Sequence, residues 1–198
     1  MSAMSRPVIG RQPPLELAEA EVLKPDGTYV RLSDLWAGSP SLLIFLRHFG
    51  CMGCSQHVNE LTPRLLELHR LGLRTIFVGN GEPRYIDGFI ERHALQDKKV
   101  EIVTDPSLQA FTAMHLVRSW WATLGPRALL GFVRAFFAGH RQTWLMGDGS
   151  QQGGSLLVNG NGDVAYYYCN SNLGDRAPTV EVVDVALRLL LRHGKSLA

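Results

Sequence analysis

The chain has 198 residues, 45% of them hydrophobic and 19% charged, with a formal net charge of +2. That is enough apolar material for one sizeable core, and the balance lacks the basic stripe with interleaved aromatics that would point to nucleic acid. Three cysteines are too few, and odd in number, for a disulfide-stapled scaffold, and no uncharged apolar run approaches the roughly 18 residues of a membrane span.

Residues 1–14 carry prolines and no periodicity, so they are expected to form a flexible tail ahead of a single domain at 15–198. They hold no apolar core of signal-peptide length, and the expected setting is a cytoplasmic, reducing one. Lys24-Pro25-Asp26-Gly27 is a turn signal between two short strand-like stretches, Glu21 to Leu23 and Thr28 to Leu32, and predicts a β-hairpin. Leu42 to Leu46 is an unbroken apolar run, the pattern of a strand buried on both faces. Val58, Leu61, Leu65 and Leu68 then repeat at helical spacing up to Gly72, with Pro63 inside the pattern expected to kink or break the helix. A second buried strand is expected at Leu73 to Val78, a helix from Pro83 to about His93, and a third strand at Val100 to Val103. Two βαβ units in succession predict a parallel sheet covered by helices.

The stretch Ser107 to Gly147 has arginines at 118, 127, 134 and 141, no acidic residue, and three of the four tryptophans. A helical insertion at about 116–146 is expected there, read first as a cap over the core and second as a lid or basic surface. A hairpin follows around Asn159-Gly160-Asn161-Gly162, and Val180 to Leu191 is a final amphipathic helix. Cys169, at the end of the second hairpin strand, reads as a small apolar strand residue. The glycine-rich stretches match no nucleotide-binding pattern.

The chemistry concentrates in Arg47-His48-Phe49-Gly50-Cys51-Met52-Gly53-Cys54, where a buried strand ends and a helix begins at or near Cys51. Free N–H groups and the positive end of the helix dipole stabilise a thiolate placed there. Two intervening residues let the sulfurs meet across one turn, so that one can attack and the other resolve a disulfide. Arg47 and His48 add positive or polarisable groups beside them. The same segment spaces His48, Cys51, Cys54 and His57 three apart, which leaves a zinc site as a lesser alternative, because no second ligand pair exists to close a tetrahedron.

This segment, with Leu23-Lys24-Pro25-Asp26-Gly27, Leu32-Ser33-Asp34-Leu35, Gly147-Asp148, Gln152-Gly153-Gly154 and Gly174-Asp175, resembles the peroxiredoxin-like, C-x-x-C branch of the alkyl hydroperoxide reductase and thiol-specific antioxidant family. The resemblance spans about Leu15 to Leu191. It implies an α/β thioredoxin-like fold, a central mixed sheet flanked by helices, with thiol peroxidase or disulfide reductase activity through Cys51 and Cys54. On the thioredoxin pattern Cys51 is the nucleophile. On the peroxiredoxin pattern Cys54 takes the peroxidatic place and Cys51 that of a threonine. The resemblance would put an arginine or a cis-proline at Gly153, and neither is there. Peroxide activation is then expected to use Arg47, another arginine or backbone donors.

The expected partners are a peroxide or disulfide substrate and an external thiol reductant such as a thioredoxin or glutathione system, with no bound cofactor, metal or nucleic acid. A second copy of the chain is admitted as a partner. A redox-sensing binding module is the non-enzymatic alternative.

Overall fold

The computed structural model describes residues 6–120, 146–172 and 174–196, with the side chains of the last helix as far as 191. Seven strands form one mixed sheet: β1 (Glu21–Leu23), β2 (Tyr29–Arg31), β3 (Ser41–Phe45), β4 (Arg74–Gly79), β5 (Glu101–Thr104), β6 (Gly154–Val158) and β7 (Val164–Cys169). Their order is β2-β1-β5-β4-β3-β6-β7. β3, β4 and β5 are parallel, and β6 runs antiparallel beside β3. This is the α/β, thioredoxin-like arrangement expected, with β3 at the heart of the sheet.

The apolar run explains that position. Every residue of β3 is buried. Leu42 and Ile44 join one apolar cluster and Leu43 and Phe45 the other, so successive side chains feed opposite faces. The first face is covered by α3 (Met52–Arg70), α4 (Ile86–Arg92) and α6 (Thr179–Ser196). The second carries α1 (Leu15–Ala18), α2 (Leu32–Trp36) and α5 (Gln109–Ala113).

Two expectations change. Pro63 does not break its helix: α3 runs unbroken from Met52 to Arg70. Pro63 and Asn59, whose carbonyl forgoes the i+4 hydrogen bond, are both exposed, so water can serve that group, while Val58, Leu61, Leu65 and Leu68 anchor the opposite face. Residues 6–14, expected to hang free, instead run along the start of β7. Gly10 N–H donates to Val164 O and Val164 N–H to Arg11 O, both at 2.8 Å, and Pro7, Pro13 and Pro14 are buried. An edge strand offers unpaired backbone groups, and this segment occupies part of that edge.

The expected insertion falls outside the described residues across 121–145. Its two ends meet. Ser119 N–H donates to Ser150 O and Gln152 N–H to Val117 O, each at 2.8 Å, around a bridge between Arg118 and Gln151. Arg118 reaches the Asp148 carboxylate at 2.7 Å, and the Asn80 side chain bonds both the N–H and the carbonyl of Asp148. Among the described residues no helix is long and apolar enough to cross a membrane.

Candidate active site at the dithiol

β3 ends at Phe45, four loop residues turn through His48 O···H–N Cys51 at 3.1 Å, and α3 starts at Met52. Cys51 is therefore the N-cap residue, with extended backbone, and its sulfur accepts the N–H of Cys54 at 3.4 Å. A sulfur here fills the role that a Ser or Asp oxygen has in an ordinary cap. The Cys54 sulfur accepts the backbone N–H of Arg47 at 3.2 Å. Both thiols are free and buried, Cys51 at 1% and Cys54 at 9% exposure.

The two sulfurs share a hydrogen bond, and that splits their acidities. The Cys54 S–H donates to Cys51 and lowers the Cys51 pKa against burial, helped by the Arg47 charge and the N–H groups of Cys54 and Gly53. The same bond pushes Cys54 up, with burial and the neighbouring thiolate adding to it. The resting pair thus holds one charge and one proton between two sulfurs, and its titration belongs to the pair.

Arg47 is 2% exposed, and its guanidinium is tied to backbone carbonyls: Nε donates to Gln151 O at 3.1 Å and Nη2 to Gly149 O at 2.7 Å. The site therefore has a buried arginine supplied from the end of β3. It has none from Gly153, and no side chain fits there: a Cβ on Gly153 would lie 2.3 Å from the Phe45 carbonyl oxygen. No peptide bond among the described residues is cis.

His48 shapes the loop through its carbonyl. Its ring is buried, close enough to Asp148 to feel that charge, and burial with the Arg47 charge lowers its pKa to about 4. His48 is thus neutral at neutral pH. Among the described residues no group of three His, Cys, Asp or Glu side chains gathers as a metal would require.

Other residues here carried little sequence signal. His57, one turn beyond Cys54, is buried on the same helix, and its pKa is lowered to about 4 by burial and then Arg176. Asn170, just past β7, and Arg176 come from over a hundred positions away. With Cys54 and His57 they line one small cavity. Arg176 is locked by two hydrogen bonds to Glu60, at 2.6 and 3.2 Å. Ser55 Oγ donates to the Cys51 carbonyl at 3.0 Å and lies 3.4 Å from the His93 ring, which also meets Asn59. Only helix periodicity, i+3 from Cys54, could have singled out His57.

Cys169 packs with the second cluster, against the opposite sheet face from Cys51 and Cys54. Its sulfur meets the Tyr167 hydroxyl at 2.9 Å, and burial raises its pKa. It is placed as a strand residue and not as a resolving partner.

A C-x-x-C pair capping the helix that follows a central parallel strand defines a thioredoxin-like thiol oxidoreductase. The comparisons narrow the class. The profile of the AhpC/TSA antioxidant enzyme family matches residues 60–172, just over half of the chain, and the chain belongs to that family. The dithiol lies just ahead of the matched span. The thioredoxin-like protein AAED1, chloroplastic, of Arabidopsis thaliana is 26% identical over 184 residues, covering 88% of this chain and 73% of its own. The prostamide/prostaglandin F synthase of Salmo salar is 27% identical over 161 residues, covering 79% and 78%. Peroxiredoxin Q of Xanthomonas campestris shares the fold at a TM-score of 0.62 and 14% identity, over 93% of this chain and 98% of its own. The protein is a thiol-based redox enzyme of peroxidase type.

Proposed function

We propose that the protein reduces hydroperoxides through Cys51 and Cys54. One sulfur is oxidised to a sulfenic acid, the other displaces water to close a Cys51–Cys54 disulfide, and an external thiol of the thioredoxin or glutathione kind reduces it. The carrying observation is the buried S–H···S pair on the N-cap of α3, which keeps one thiolate and one proton donor together beside the Arg47 guanidinium. A reducing, cytoplasmic setting fits a dithiol that must be re-reduced to turn over.

The test is the second-order rate of thiol loss after hydrogen peroxide is added to the reduced protein, run beside Cys51→Ser and Cys54→Ser. A rate orders of magnitude above that of a free cysteine is expected. A rate no better than free cysteine sinks the peroxidase reading. The second reading, disulfide exchange without peroxidase activity, is favoured by Gly153, where no side chain can reach a bound peroxide. Rapid reduction of a test disulfide by a protein inert to peroxide would select it.

A further inference from the structure

Which sulfur meets the oxidant is a matter of access. The cavity behind the C-x-x-C turn is bordered by Cys54 and not by Cys51, and it has room for little more than one water-sized molecule. Its walls come from four places in the chain: the end of β3, the first turns of α3, Asn170 beyond β7, and Asp175 with Arg176 ahead of α6. Two of the lining side chains hold buried polar atoms without a hydrogen-bond partner: His57 Nε2 and Asn170 Oδ1. His57 is only 5% exposed. A polar atom buried without a partner costs about 1–3 kcal/mol, so two around one cavity beside a reactive thiol mark a place for a small polar guest.

The chemistry of those atoms is specific. A neutral imidazole offers one N–H and one lone pair, and an amide oxygen only accepts. A hydroperoxide group offers one O–H donor and two oxygen acceptors in two heavy atoms. Its O–H can serve Asn170 Oδ1 while His57 Nε2–H serves an oxygen. Arg176 and Asp175 also line an open groove with Glu60, Pro178 and Thr179, so they form the wall between groove and cavity, and the Arg176–Glu60 pair holds that wall shut.

We propose that this cavity is the binding site for the O–O head of a small hydroperoxide, held between His57 and Asn170, and that Cys54 is the sulfur it oxidises. The proposal rests on the peroxidase reading. Before attack the shared proton passes to Cys51, leaving the thiolate on Cys54, where the Arg47 N–H stabilises it. Cys54 then attacks one peroxide oxygen. The S–O bond forms, the O–O bond breaks, and the departing alkoxide or hydroxide takes the proton from Cys51. The Cys51 thiolate attacks the Cys54 sulfenic acid and expels hydroxide, which solvent protonates. Two electrons leave the dithiol and reduce the peroxide. The closed wall makes hydrogen peroxide and short hydroperoxides the preferred class.

The experiment compares peroxide-driven thiol loss in the wild type, His57→Leu and His57→Gln, with pH titration of thiolate absorbance as the control. Leu keeps the volume and removes the hydrogen bond. A fall of about tenfold or more is expected for His57→Leu, with partial recovery in His57→Gln and an unmoved thiolate titration. Arg176→Ala is expected to raise the rate with cumene hydroperoxide relative to hydrogen peroxide. A sulfenate trap should label Cys54 in Cys51→Ser. A slow wild type overturns the peroxidase reading and this site together. A fast wild type with His57→Leu unimpaired, or with Leu and Gln equally slow, overturns the site alone. So does a Cys54→Ser variant whose Cys51 is oxidised at the native rate. Should His57→Leu not fold, Asn170→Leu carries the same comparison from the opposite wall.

Discussion

At the scale of single residues, the active pair is held by exchanges that each involve one donor and one sulfur. Cys51 owes its acidity first to the thiol of Cys54, and only then to Arg47 and the helix amides. Removing the donor should therefore undo most of the effect. Cys54→Ala is expected to shift the Cys51 titration upward toward an ordinary thiol, and Cys51→Ala to shift Cys54 downward, because that partner now raises it. Thiolate absorbance against pH measures both. If Cys54→Ala leaves Cys51 unmoved, the helix terminus and Arg47 sustain the thiolate alone. The sequence made the two cysteines legible because a strand-to-helix junction with this spacing is a local pattern. It did not reveal the division of labour, which depends on an S–H···S contact and on the Arg47 N–H, neither of them visible in a string of letters.

At the scale of elements, α3 carries the site, and its continuity is the least expected feature. A proline in a helix interior costs about 3 kcal/mol relative to alanine. The cost is tolerated because Pro63 faces water and Leu61 and Leu65, on either side, lie in the core. Pro63→Ala should accordingly stabilise the protein, by roughly 1–3 kcal/mol after allowing for a freer unfolded chain. Urea unfolding of the reduced form decides it, and a destabilised variant would show that the proline geometry serves the packing. Elements with strong periodicity, such as β3 and the apolar stripe of α3, were readable. The sequence could not show where a proline would sit around the helix axis. Nor could it show that residues 6–14 bind an edge, since that pairing uses backbone groups against Val164, distant in sequence.

For the whole molecule, α3 and its approach bury two neutral histidines, one in the loop and one in the helix. His48 and His57 titrate near 4 when folded and near 6.5 when unfolded. The unfolded chain therefore binds more protons between those values, and stability falls as pH drops through that window. At pH 5 the loss is about 2 kcal/mol for each histidine, full stability being regained above about pH 7. Unfolding midpoints at pH 7 and pH 5 measure the drop, and His57→Leu should reduce it. A profile flat from pH 7 to 5 would mean that these rings gain solvent or partners on protonation. Neither effect was legible in the sequence, where the seven histidines look scattered.

The stem at residues 117–119 and 150–152 bears on how this scaffold can change. The backbone leaves and re-enters the sheet layer through a single antiparallel contact, fastened by Arg118, Asp148 and Asn80. Closing the chain there fixes the distance between exit and entry, and the entropy of a connecting loop grows only as the logarithm of its length. What lies between is thus modular. Segments of other lengths or compositions can be spliced in at that port without altering the register of β6, the carbonyls that grip Arg47, or the sulfurs beneath them.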